Sequence, residues 1–540
     1  MRIPRFFPVA ALAILLSALA GGFFGAPAQA TQDQVAQQYR IFTAALVAVD
    51  REYVDKVQSD RVIYDAIGGM LQTLDPHSSF FDPKAYAQMR ERQEGRYYGI
   101  GLSIQTVNGD VTAVSVFEGS PAFKAGLRRG DIIARVAGQD AKNWTTEQTA
   151  AKLKGPKGTK VHISIKRPGY DELIELDVER DEVNIVTVRG VFMLDPQTGY
   201  IKLGDFSETS DREVGDALDK LKAQGMKRLV LDLRDNPGGP LNQAIRIANR
   251  FLPKGDMIVY TRGRVPNADE DYRGTAAPDF TGPMLVLTNR NSASASEIVS
   301  GSLQDHDRAL IVGETTFGKA LVQSVYNISE GAGLALTTGR YFTPSGRMIQ
   351  RPWDNAFDEY LTYTLREQTG AREHSATQLK YTDAGRKVYG GGGIEPDKFF
   401  VGPVQGFNPT RFGRSLVGRA AFQNYAERFA AEGDTRLSAA SKGKKRLARG
   451  FVVDDAMAAD FKSFIQSEKI KVDEEAFAKD IDFIKAMIHD EIDVALFGVA
   501  EAQKNLVVKD PQAQYALSQF GEAVKLTELV RSRAASKGGH

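Results

Sequence analysis

Two short apolar runs constrain the fold of this chain more than any other feature. Arg228-Leu229-Val230-Leu231-Asp232-Leu233 and Met284-Leu285-Val286-Leu287-Thr288 lack the apolar–polar alternation of a half-exposed strand. Near-continuous apolar runs of this length predict strands buried on both faces of a sheet. Each run leads through small residues into a helical pattern. The first passes through Arg234-Asp235-Asn236-Pro237-Gly238-Gly239-Pro240 to a helix from Leu241 to Leu252. The second passes through Asn291-Ser292-Ala293-Ser294-Ala295-Ser296-Glu297 to a helix beginning near Ile298. With the strands predicted at Gly199–Leu203 and Leu310–Gly313, this is an α/β region over 186–400.

Both loops sit where chemistry is easily placed. A helix start presents backbone N–H groups that favour developing negative charge. A serine there would have an oxyanion site beside it. Taken alone, however, Ser292, Ser294 and Ser296 read as helix N-cap residues. The Gly238-Gly239 pair offers backbone N–H groups and no side-chain nucleophile. A serine hydroxyl also needs a base. His306 lies in the hydrophilic turn Gln304-Asp305-His306-Asp307-Arg308 and reads as solvated. Lys319 is flanked by Phe317, Ala320 and Leu321, and strand alternation puts it on one face with Gln323. A free lysine has a pKa of ~10.4, and burial can lower it by ~3 units, so a lysine can serve as base.

The rest of the chain supplies the setting. At roughly 150 residues per domain, 540 residues predict three or four domains. A net charge of +1 gives no general attraction to nucleic acid. There is no cysteine, which excludes disulfides and thiolate chemistry, and the six histidines are scattered without ligand spacing, so neither metal nor cofactor is expected. Residues 1–30 carry Arg2 and Arg5, an apolar stretch from Phe6 to Phe24, and Ala28-Gln29-Ala30. This is the pattern of a signal peptide, and it predicts an exported protein of the periplasm or cell envelope. Left uncleaved, the stretch is long enough to anchor in a membrane. Residues 31–96 read as helical, with Val35, Tyr39, Phe42, Leu46, Val49 and Tyr53 forming one apolar seam. Residues 401–540 read as a helical tail with Ile481, Ile484, Ile488 and Ile492 on one face, and Ala534 to His540 read as disordered.

Between these, residues 97–170 resemble a PDZ domain. The resemblance is carried by Tyr98-Gly99-Ile100-Gly101-Leu102, Ser120-Pro121-Ala122 with Ala125-Gly126-Leu127, and Gly130-Asp131-Ile132-Ile133. It implies a groove that adds a peptide as an extra strand, with Gly99, Ile100, Gly101 and Leu102 binding a C-terminal carboxylate.

The order of this block, then Asp232 to Gly239, then Ser292 to Glu297, then Gly318-Lys319 with Gln323, resembles the carboxyl-terminal processing peptidases, or tail-specific proteases. That resemblance implies a PDZ-like β-rich domain before a ClpP/crotonase-like α/β protease core, with flanking helical regions. It implies Ser294 as nucleophile, Lys319 as base, Gln323 orienting the lysine, and Gly238 and Ala295 as oxyanion donors. Substrates would be proteins with free C-termini, and an activating adaptor protein and a homo-oligomer are further expectations. Two alternatives stand beside it: a tail-binding adaptor with a decayed core, and a hydrolase that uses Ser292 or Ser296.

Overall fold

In the computed structural model, residues 35–107, 109–167, 170–265, 268–353, 357–365, 374–401, 409–432 and 447–537 are described. The predicted signal segment lies outside them. Among the described residues, no helix is long and apolar enough to cross a membrane.

The chain forms two compact units. The described part of the first comprises 35–86 and 324–337. A helix over 35–52 carries the predicted seam as far as Val49, yet Tyr39, Phe42 and Val49 are exposed, and Tyr53 lies beyond its end. A second helix, Ser59–Gln72, precedes a turn in which Asp75 accepts from the His77 and Ser78 amides. His77 is thus a loop residue. The region is not wholly helical: Ser79–Phe81 is a strand, paired antiparallel with Gly333 to Ala335.

The second unit holds everything else. Its first part is a six-stranded sheet whose edge strand is Leu102–Val107. The helix Thr146–Leu153 is closed at its start by the reciprocal Thr145–Gln148 capping box. The sheet's other outer strand, Ile174–Glu179, pairs with Lys160–Lys166, so this domain runs past the predicted limit of 170. Ile100, Val111, Ile133, Ile163 and Val178 fill its core.

The α/β core is a second six-stranded sheet. Its order is Val188–Asp195, Thr198–Leu203, Arg228–Asp232, Met284–Thr288, Leu310–Gly313 and Lys398–Phe399. The first pair is antiparallel and the others parallel. Side chains alternate across each strand. Leu229, Leu231, Val286 and Ile311 face one way, onto the helices Ser210–Ala223, Leu241–Asn249 and Ala295–Asp305. Val230, Leu285, Leu287, Leu310 and Val312 face the other way, onto Val507, Ala513, Ala516, Phe520 and Ala523. Both faces are covered, which is why the strands are apolar throughout.

The second cover comes from the region 401–540, whose described elements are helices as predicted. Only its first part has a core of its own, around Phe422, Tyr425, Phe461, Ile484 and Ile488. The helices Val499–Lys509, Pro511–Ser518 and Phe520–Lys537 contribute to the core of the sheet. Residues 534–537 are helical, not disordered. Phe520 is 3% exposed and stacks under the Arg228 guanidinium at 4.4 Å. Phe520→Ala should cost about 3–5 kcal/mol, read as a lower midpoint in urea unfolding.

Candidate active site

The Met284–Thr288 strand ends at a turn, and the helix Ala295–Asp305 begins directly after Ser294. Ser294 has φ +52 and ψ −109. A non-glycine residue in this region costs on the order of 1–3 kcal/mol and persists only when its surroundings hold it. Those surroundings are specific. The Ser294 amide donates to Glu297 Oε2 at 2.8 Å, and the Tyr341 hydroxyl donates to the Ser294 carbonyl at 3.2 Å. Gly238 lies so close that a Cβ there would sit 2.9 Å from the Ser294 Cβ and 2.7 Å from the Ala293 carbonyl. Only glycine permits that approach.

The three serines separate by environment. Ser292 and Ser296 are fully buried, and their hydroxyls donate to the Leu233 carbonyl at 2.8 Å and the Asn236 carbonyl at 3.0 Å. Both therefore tie the serine turn to the glycine loop. Ser294 is the partly exposed one.

Glu297, which the sequence reading left without a role, organises the site. It has no exposed surface. Besides the Ser294 amide, its Oε2 accepts from the Lys319 amide at 2.9 Å. Its Oε1 accepts from Gly318 N at 2.7 Å and from the Thr316 hydroxyl at 2.5 Å. One carboxyl group thus holds the main chain of both Ser294 and Lys319. The Tyr341 hydroxyl lies between the carbonyls of the same two residues and shares its one hydrogen between them, at 2.5 Å to Lys319 and 3.2 Å to Ser294. Burial keeps that phenol well above its ordinary pKa, so it remains a donor. The only sequence signal for Glu297 was its place three residues after Ser294, the spacing of a capping box. Tyr341 gave no signal, because it comes from a distant strand, Gly333–Phe342.

The half-buried Lys319 Nζ donates to Gln323 Oε1 at 3.1 Å, with both residues on the predicted face. The oxyanion assignment to Gly238 meets a different arrangement. Its N–H donates to Asn236 Oδ1 at 2.9 Å, because the buried Asn236 side chain folds back into the loop while its Nδ2 donates to the Leu203 carbonyl. As the loop stands, that amide faces the protein. Ala295 is the first residue of the helix and is buried. In the PDZ-like block, Gly99 ends a strand and Leu102 begins the edge strand. The Ile100 carbonyl accepts from the Ala122 amide, and Gly101, at φ +85, accepts from Phe117 N and the Ser120 hydroxyl. The loop is therefore fixed to the start of a short helix, with the sheet edge open beside it. Among the described residues no acidic or histidine cluster suits a metal.

The model of peptidase family S41 matches residues 197–353, and that of the PDZ domain matches 88–166. The carboxy-terminal-processing protease of Bartonella bacilliformis is 39% identical over 308 residues, 56% of this chain and 70% of that protein. The chain belongs to the carboxy-terminal processing proteases. The carboxy-terminal processing protease CtpA of Bacillus subtilis is 33% identical over 353 residues, 64% of this chain and 74% of that one. Among solved structures, the photosystem II D1 C-terminal processing protease is 32% identical, covering 56% of this chain and 88% of that one at a TM-score of 0.31. The chain is therefore a serine peptidase with a PDZ domain ahead of its peptidase core.

In this peptidase both oxygens of Glu297 serve as acceptors. In Glu297→Gln, an NH2 group would meet backbone N–H groups in place of one oxygen. Hydrogen bonds to a charged group contribute about 1.5–3 kcal/mol, so at about pH 8, where the carboxyl is ionised, kcat should fall roughly 10- to 100-fold, measured as turnover with the fold checked by circular dichroism. Burial pushes the Glu297 carboxyl up to about 7 from an ordinary 4.5, against the opposing pull of its hydrogen bonds. Between those values the folded protein keeps a proton that the unfolded chain releases. Stability from this group is therefore full below about pH 4.5 and lost as pH rises through about 7. The loss is about 3 kcal/mol. Urea unfolding at pH 4.5 and pH 8 should show that slope in the native protein and not in Glu297→Gln.

Proposed function

We propose that the chain is an exported serine endopeptidase that recognises substrate C-termini through its PDZ domain and cleaves peptide bonds with a Ser294–Lys319 dyad. The observation that carries this reading is the shared carboxyl group. Glu297 accepts the amides of Ser294 and Lys319 through one oxygen, so the nucleophile and base implied by the sequence belong to one hydrogen-bonded assembly. Serine–lysine pairs are a known variant of the triad logic.

In this mechanism the neutral amine of Lys319 acts as the base. It takes the Ser294 Oγ proton as that oxygen attacks the scissile carbonyl. The negative charge formed on the carbonyl oxygen is met by backbone N–H at the helix start, with Ala295 as the nearest donor. Lys319 then returns the proton to the departing amine, leaving an acyl group on Ser294. Water, deprotonated by the same lysine, attacks that ester and restores the serine. Gln323 orients the lysine through the 3.1 Å contact. For Gly238 to act as the second donor, its N–H must leave Asn236, which makes a turn of this loop part of the catalytic cycle.

The PDZ block supports C-terminus recognition because its open edge strand can accept an added strand. Export is proposed from the sequence of residues 1–30. Self-association is proposed from the exposed seam of the helix over 35–52, since exposed apolar faces of this kind mark interaction surfaces.

Ser294→Ala and Lys319→Ala should each abolish cleavage of a protein with an apolar C-terminal tail, while circular dichroism stays native. A fluorophosphonate probe should acylate Ser294 alone, located by peptide mapping. Labelling at Ser292 or Ser296, or full activity in either variant, would overturn the assignment.

A further inference from the structure

The loop that lies against Ser294 begins at Asp232, and its first residues are held unusually firmly. Asp232 is fully buried. Its carboxylate accepts from the Tyr200 hydroxyl at 2.6 Å, Lys202 Nζ at 3.1 Å, the Arg234 amide at 2.9 Å and Arg234 Nη2 at 2.6 Å. These cations and donors hold the Asp232 carboxyl well below the usual carboxylate range despite its burial. Lys202 Nζ also donates to the Arg234 carbonyl at 2.6 Å. The main chain of Arg234 is thus gripped at its amide and its carbonyl, and one side of its guanidinium is taken by Asp232.

The other side of the guanidinium is taken by the C-terminal helices. Arg234 Nη1 donates to the Asp510 carboxylate and, at 2.9 Å, to Gln512 Oε1. Asp510 caps the helix Pro511–Ser518, accepting from the Gln512 and Ala513 amides with one oxygen and meeting Arg234 with the other. The cap fixes the carboxylate, and the packing of Ala513 and Ala516 on the sheet fixes the helix that follows it. The contact comes from sequence well beyond residue 353, where the match to the peptidase family ends.

From Arg234 the chain reaches the serine turn in a few residues. Asp235, at φ +59, accepts from the Asn289 and Asn291 side chains at 2.8 Å each. The Asn236 carbonyl accepts from the Ala293 amide at 3.0 Å, and Gly238 then lies against Ser294. Both residues that follow Arg234 are thus hydrogen-bonded to the serine turn before the chain reaches Gly238.

We propose that Asp510 and Gln512 are positioning residues for the peptidase reaction, acting through Arg234 on the loop 232–239 that lies against Ser294. The C-terminal helices are then a working part of the site and not an appendage. The inference rests on the assignment of Ser294 as nucleophile.

The test is a double variant of the full chain, Asp510→Ser with Gln512→Ala. Serine keeps the helix cap but is too short to reach Arg234. The structural control is Phe520→Leu, which loosens the packing of the next helix, Phe520–Lys537, without touching Asp510, Gln512 or the loop. Loss of precise positioning can cost up to about 100-fold in rate. The double variant should lose about 10-fold or more in kcat with KM changed by less than about two-fold, and label more slowly with a fluorophosphonate. Phe520→Leu should lower the melting temperature while leaving kcat at 25 °C unchanged. Asp510→Glu should restore part of the lost rate. The inference fails if the double variant keeps kcat within about two-fold of the native protein, or if Phe520→Leu lowers kcat as much. An active Ser294→Ala protein would instead overturn the nucleophile assignment. An inactive Ser294→Ala protein beside a fully active double variant would overturn only the role of Asp510 and Gln512.

Discussion

Glu297 has no exposed surface, and its two oxygens take donors from two separate pieces of chain. A buried carboxyl group without partners would be costly. The helix start that carries Ser294 and the segment 316–319 therefore have to meet at it. Tyr341 closes the same pair of residues from their carbonyl side. Ser294 can hold its left-handed backbone only inside this double grip, and the orientation of its hydroxyl follows from that backbone.

The grip in turn depends on the sheet. Ser294 and the glycine loop both follow parallel strands at the same end of the sheet, Met284–Thr288 and Arg228–Asp232, which pair directly with each other. Ligand sites in open α/β sheets favour this end, beyond the carboxyl ends of the strands. The sheet keeps its shape because helices cover both faces, one set from the middle of the chain and the other from its last forty residues. The second set also reaches the glycine loop through Asp510 and Gln512, so packing and positioning come from the same helices.

Local pattern carried much of this. The buried strands, the short PDZ helix at Pro121–Lys124, the capped helix Thr146–Leu153 and the shared face of Lys319 and Gln323 all follow from spacing that any chain would obey. Other features escaped it. The Ser79–Phe81 strand sits in a helical stretch and exists because a partner strand lies beside it. The inward turn of the Gly238 amide depends on Asn236, whose side chain can bond its own loop or something else with equal local ease. The apolar faces of the last helices looked like any amphipathic surface, because periodicity says that a face is buried and not what it is buried against.

The sequence by itself determined the element types around the site, the order of the domains, and the residue kinds available for chemistry: a serine run at a helix start, a glycine pair, and a lysine followed by a glutamine. These follow from backbone sterics and side-chain periodicity, which act over a few residues. Only the tertiary structure decided which serine is left accessible, that Glu297 and Tyr341 hold the Ser294 and Lys319 main chain together, and that the C-terminal helices grip Arg234. Those outcomes depend on hydrogen bonds between groups far apart in the chain. Such bonds form only when burial leaves a polar group one available partner, and that choice is made by the packed core.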